Sequence, residues 1–162
     1  MRSFVIEPYI IGKRGCVYTI RFLDKDLSEA DAFFAKEVAD IENKTTFQFL
    51  RRRIENACEK FGLSALDTKQ ISKPTDGLCE LKQNKLRLFC IRFGNLTLIL
   101  GSGGEKNSRT YNEDSDLNAM VTELQLIDKL FLKRKNDGEI AIQDNGKITG
   151  NLTFYLEDDD NE

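Results

Sequence analysis

The segments Asp76-Gly-Leu-Cys-Glu-Leu-Lys82 and Arg87-Leu-Phe-Cys-Ile-Arg-Phe-Gly-Asn95 run on into Leu96-Thr-Leu-Ile-Leu-Gly-Ser-Gly-Gly-Glu-Lys106. Together they hold three short apolar runs, at 78–82, 86–93 and 95–100, behind a break at 74–77. Runs of this length, rich in Leu, Ile, Val and Phe and bounded by turn residues, read as β-strands. Gly94-Asn95 reads as a two-residue hairpin turn. Strand geometry sends alternate side chains to opposite faces. Leu88, Cys90 and Arg92 therefore share one face, and Arg87, Phe89, Ile91 and Phe93 the other. Both faces are partly apolar, as expected of a central strand covered on both sides. The glycine-rich stretch 101–104 reads as a flexible turn closing the sheet. It lacks the Gly-Lys-Ser/Thr ending of a phosphate-binding loop.

Working back toward the N-terminus, residues 4–11 and 16–24 are rich in Val, Ile, Tyr and Phe, with Gly12-Lys13-Arg14-Gly15 between them. This predicts a strand pair, with Tyr18, Ile20 and Phe22 on one face and Thr19 and Arg21 on the other. Ser28, with Asp31 three residues on, predicts a capped helix start. Its apolar stripe is Ala30, Phe33, Phe34, Val38 and Ile41. A second helix follows, capped by Thr45 or Thr46, with Phe47, Leu50, Ile54, Ala57, Cys58 and Phe61 along one side and Gly62 as its stop. The two helices are expected to pack as an antiparallel hairpin.

Toward the C-terminus, Leu117, Met120, Val121, Leu124, Ile127, Leu130 and Phe131 recur at helical spacing over 115–135, and Lys133-Arg134-Lys135 suits the negative end of a helix dipole. Residues 139–143 and 147–156 flank Asp144-Asn145-Gly146, a hairpin signal. The expectation is one α+β domain over 1–156, with an extension from about residue 112. The acidic run 157–162 is expected to be a disordered, solvated tail rather than a metal site.

The chain has 162 residues, 31% of them charged, with eleven Phe and no Trp or His. This is the composition of a folded protein with a charged surface. Its four cysteines include no Cys-x-x-Cys pair. With no imidazole to add, this argues against structural zinc. They read as reduced core thiols of a cytoplasmic protein. No cofactor is expected, nor any signal peptide or membrane span. Charge is uneven within the net −3. Residues 48–109 carry twelve basic and six acidic groups, and residues 110–162 carry five basic and thirteen acidic. A basic centre joined to an acidic end is compatible with a nucleic-acid partner despite the acidic total.

The order strand, strand, two helices, antiparallel meander resembles the RelE/ParE/HigB superfamily of toxins from toxin–antitoxin pairs. The local text sharpens the resemblance over 76–106. Gly77-Leu78-Cys79-Glu80-Leu81-Lys82 is similar to the family's Gly-Leu-x-Glu-Leu-(Arg/Lys) segment. Arg87-Leu88-Phe89 is similar to its Arg-(Val/Leu)-(Phe/Tyr) strand, with a Gly-containing turn after it. The chain departs from the pattern in three ways. Leu100 precedes Gly101 where the family usually has His, Glu105-Lys106 stands for a Lys pair, and the chain is longer after about residue 112.

The resemblance implies a toxin that cleaves mRNA at the ribosome and is held by a cognate antitoxin. The alternative is a protein-binding module on the same fold, phage-derived or antitoxin-binding, with no nuclease activity. RNA cleavage by a ribose 2′-hydroxyl needs cations on the phosphate and groups that move protons. Arg87 matches the family's strand arginine and is the first candidate for the phosphate, or else pairs with Glu80. Lys82 and Lys106 complete the expected catalytic group, each alternatively a solvated lysine. Lys85, Arg92, Arg109, Tyr111, Arg51, Arg52 and Arg53 are the expected RNA contacts. For Arg92 the competing reading is structural. Tyr111 is a stacking candidate, and the three consecutive arginines are alternatively a solvated helix face.

Overall fold

The structure, a computed structural model, describes residues 2–71, 77–107 and 114–157. Nine strands are described: β1 (Arg2–Ile11), β2 (Cys16–Phe22), β3 (Thr68–Gln70), β4 (Leu78–Gln83), β5 (Leu86–Phe93), β6 (Thr97–Glu105), β7 (Ile140–Ile142), β8 (Ile148–Gly150) and β9 (Thr153–Leu156). The α-helices are α1 (Glu29–Ala35), α2 (Lys44–Asn56) and α3 (Ser115–Asn136). Seven strands form one mixed sheet in the order β3-β4-β5-β6-β2-β1-β9, and β7 and β8 form a separate hairpin. All pairings in the large sheet are antiparallel except β2 with β6, which run parallel at its centre. The fold is thus α+β. None of the described helices is long and apolar enough to cross a membrane.

The two-faced reading of the central strand matches the core. Leu88 and Cys90 of β5 pack with Val17, Phe33, Phe47, Leu50 and Ile54, the face covered by α1 and α2. Phe89 and Ile91 pack with Tyr18, Ile20, Leu124, Ile127 and Phe131, the face covered by α3. Each fully buried Phe, Leu or Ile removes enough apolar area from water to contribute about 1.5–3 kcal/mol. Thr19, the polar exception in β2, is buried but satisfied: its hydroxyl donates to the Leu100 carbonyl at 3.0 Å and accepts from the Ala30 N–H at 3.2 Å.

Several local expectations are corrected. α1 starts as read, with the Asp31 N–H donating to Ser28 Oγ at 3.1 Å, but ends at Ala35 in a single 3₁₀ turn. Val38 and Ile41 therefore leave the stripe and are each 88% exposed. α2 is capped at Asn43, ahead of both threonines. Its last turn, Ala57–Phe61, widens to π geometry, with the Gly62 N–H reaching the Ala57 carbonyl at 2.7 Å. The extra residue in that turn rotates Phe61 out of the stripe into solvent. The β5–β6 connection is three residues, since Phe93 pairs with Thr97.

The largest correction concerns the glycines. Residues 101–104 are not a turn but the second half of β6, with Gly103 opposite Leu88 and Gly104 opposite Arg87. A Cβ on Gly103 would lie 2.1 Å from the Arg87 carbonyl oxygen, and one on Gly101 or Gly104 would press α3 side chains, Leu124 or Leu117, at 3.2 Å. Bare backbone here lets α3 lie directly on the sheet. The C-terminal hairpin is likewise shorter than read. β8 ends at Gly150, and β9 departs to pair with Arg2–Val5 of β1.

Candidate functional site

The β4–β5 hairpin turns on Asn84 and Lys85, with Asn84 at φ +53, a left-handed conformation that asparagine tolerates better than most residues. The register sets Lys82 opposite Arg87 and Glu80 opposite Phe89. Strand alternation then places Glu80, Lys82 and Arg87 on the face that carries Leu78 and Phe89, the α3 face. Glu80 and Arg87 are only 4% and 8% exposed. Their closest approach, Nε to Oε1, is 3.9 Å, and neither Arg87 Nε nor Glu80 Oε2 has a hydrogen-bond partner among the described residues. The other end of the guanidinium is engaged: Nη1 donates to the Asn84 and Leu86 carbonyls at 2.8 and 3.0 Å. Lys106 is brought alongside by its backbone N–H, which donates to the Lys85 carbonyl at 2.8 Å.

The electrostatics centre on Glu80. Burial pushes its carboxyl pKa upward, and the positive charges of Arg87, Lys69, Lys106 and Lys82, in that order, oppose the rise. A buried carboxyl among four cations, with an oxygen left over, is the kind of perturbed group found at functional sites. Its upward shift makes it a better proton acceptor than an ordinary carboxylate, and the cations can hold an anion. Sequence reasoning treated Glu80 only as an ion-pair partner and did not single out Lys69. The signal was the Glu-Leu-Lys text itself, which puts a carboxylate on the same face as Lys82.

The other expected contacts are dispersed. Lys85 is exposed in the hairpin turn. Arg92 is committed to structure: its guanidinium donates to the carbonyls of Leu63, Leu66 and Gly94, and to the side chains of Thr68 and Asn95, at 2.8–3.2 Å. Arg51 pairs with Glu37 at 2.9 Å and lies over the Phe34 ring. Arg53 ties α2 to β4 through the Lys82 carbonyl and Gln83 Oε1. Arg52 alone of the three is exposed. Arg109 and Tyr111 lie outside the described residues.

A second cluster escaped the sequence reading. Between α1 and α3, next to Ser102 and Gly103, a cleft of about 290 Å³ is lined by Arg2, Lys25, Glu29, Lys36 and Glu123. Lys36 Nζ donates to the Gly103 carbonyl at 2.9 Å, and Arg2 pairs with Glu123 at 2.7 Å. Burial is the main influence on both titrating groups, lowering the pKa of Lys36 and raising that of Glu29. Here Arg2 and Glu123 pair and Lys36 is tied to backbone, whereas the Glu80 cluster leaves polar atoms unspent.

Compared with known proteins, the chain matches no family model, no curated protein and no solved structure.

Proposed function

We propose that the chain is the toxin of a toxin–antitoxin pair, a metal-independent endoribonuclease on a RelE-like frame that cuts mRNA at the ribosome. The observation that carries this reading is the gathering of Lys82, Arg87, Lys106 and Lys69 around the buried carboxyl of Glu80. The antiparallel run β4–β5–β6, following two helices and lying beside β2, supports the frame. In this reading Lys82, exposed, and Lys106, half-buried, neutralise the scissile phosphate. Glu80 accepts the proton of the attacking 2′-hydroxyl. Arg87, anchored to the Asn84 and Leu86 carbonyls, sets a positive charge 3.9 Å behind the carboxylate rather than leading the phosphate contact. The antitoxin is a protein that covers this face or the helix pair.

A second reading, a protein-binding module without nuclease activity, is favoured by one observation: the Arg87 guanidinium is turned toward backbone carbonyls while Val38, Ile41, Phe49 and Phe61 around α2 stand exposed. Inducing the wild type and the Lys82→Ala/Lys106→Ala double variant in a bacterial host separates the two. The nuclease reading expects growth arrest and loss of bulk translation with the wild type, both relieved by the variant at equal soluble expression. Arrest that persists in the variant, or no arrest by the wild type, favours the binding module.

A further inference from the structure

Cys79 of β4 and Cys90 of β5 are direct cross-strand partners, and their Sγ atoms stand 3.0 Å apart. Arg92 N–H donates to the Gly77 carbonyl at 2.8 Å, which marks residues 77 and 92 as a hydrogen-bonded pair of the ladder. Residues 79 and 90, two steps along, are a pair of the same kind. Such pairs hold Cα atoms about 5.5 Å apart, within the roughly 4.4–6.8 Å that a disulfide spans. The two sulfurs are unequal in access. Cys90 is fully enclosed, while Cys79 is 5% exposed and lines a cleft of about 450 Å³ with Thr68, Gln70, Arg92 and Asn95.

From this arrangement we infer that Cys79 and Cys90 form a redox site, in which Cys79 reacts with a small hydroperoxide and Cys90 resolves the product as a cross-strand disulfide. The Cys79 thiolate attacks one peroxide oxygen. The S–O bond forms, the O–O bond breaks, and the departing oxygen leaves as water or an alcohol after taking up a proton. The sulfenic acid at Cys79 is then attacked by the Cys90 sulfur. The S–S bond forms, the S–O bond breaks, and a second water carries off the Cys90 thiol proton. Two thiols lose two electrons in all, and the peroxide gains them.

The surroundings favour this division of roles. The hydrogen bond from the Cys90 thiol is the main influence lowering the Cys79 pKa; burial opposes it, and Thr68 and the Arg92 guanidinium lower it further. Arg92 also holds Thr68 in place, donating to its Oγ1 at 2.8 Å. Burial drives the Cys90 thiol well upward, so it stays a donor until the sulfenic acid forms. Cys58, pushed up to about 12 mainly by burial, is a poor competitor, since the thiolate is the reactive species. The sulfurs must close from 3.0 Å to about 2.05 Å within a fixed ladder, and a bond made under such constraint is readily reduced.

The test uses the full chain, reduced, desalted and exposed under native conditions to stoichiometric hydrogen peroxide. It is then denatured in acid, alkylated and digested with trypsin, which cuts at Lys82, Lys85 and Arg87 between the two cysteines. The expected result is a Cys79–Cys90 linked peptide as the main oxidised species, abolished by dithiothreitol, with Cys16 and Cys58 alkylated. In Cys90→Ser, Cys79 is expected to stop at a sulfenic acid that dimedone captures; if that variant does not fold, the wild-type linkage map decides. Four alkylated thiols after peroxide would overturn the inference. So would linkage to Cys16, Cys58 or another chain, or sulfinic acid at Cys79 with no linkage.

Discussion

The two faces of the large sheet are built from the same strands but carry different chemistry. On the face covered by α1 and α2, the enclosed positions are apolar or cysteine, and the buried Thr19 is fully hydrogen-bonded. The face under α3 is just as apolar beneath the helix, but it also encloses Glu80, Arg87 and Asp128. Buried charge is costly unless paired and hydrogen-bonded, and here the Glu80–Arg87 pair is loose, with an atom unspent on each side. One face is organised for stability. The other accepts a cost in stability at one end, which the proposed nuclease site would account for.

The comparison is broken most severely on the dry face. Leu88→Ala removes a fully enclosed side chain, and the expected loss is about 2–5 kcal/mol, read from urea midpoints. Next comes the charged face. Arg87→Met strands the Glu80 carboxylate, and breaking a buried pair one-sidedly costs on the order of 3 kcal/mol. The double variant Arg87→Met/Glu80→Met is expected to recover most of that loss. If the double variant is as unstable as the single one, the pair is not the cause.

These expectations rest on elements of unequal legibility. The near-continuous apolar text of 86–93 and the helical spacing over 115–135 point to a central strand between helical layers, because burial on both faces makes apolar residues recur on both. The route of β6 was not legible. Gly101, Gly103 and Gly104 look like a turn in sequence, and only the close approach of α3 and the Arg87 carbonyl explains them as strand. Nor was β3, three residues with a mostly exposed pattern, or the early end of α1, which exposes Val38 and Ile41. At the candidate site, Lys82, Arg87 and Lys106 were legible from the motif. The burial of Glu80, and with it the raised pKa, depends on neighbours from other strands.

A smaller effect follows from that burial. Glu80 has a folded pKa raised above its ordinary 4.5, so the folded state takes up its proton more readily than the unfolded chain. Its contribution to stability is therefore fully present below about 4.5 and is lost as pH rises through the raised value. The stability of the wild type relative to Glu80→Gln should fall across that window, in urea titrations at successive pH values. A difference that stays flat removes Glu80 as a titrating group. Smallest of all, Val38→Ser and Ile41→Ser, at side chains left in solvent, are expected to shift stability by no more than about 0.5 kcal/mol. If instead they abolish capture of a co-expressed antitoxin while leaving the fold intact, they sharpen the comparison by marking the helix-pair side as the partner-binding side.

The most direct measurement of the central claim is the fate of a defined mRNA in a translating bacterial extract, with wild-type protein and with Lys82→Ala/Lys106→Ala. The account predicts that the wild type cuts the message only while ribosomes occupy it. The new ends should carry 2′,3′-cyclic phosphates, the product of 2′-hydroxyl attack, and the double variant should leave the message whole. An intact message in the presence of folded wild-type protein, or equal cutting by the double variant, would contradict the assignment of the Glu80 cluster as a nuclease site.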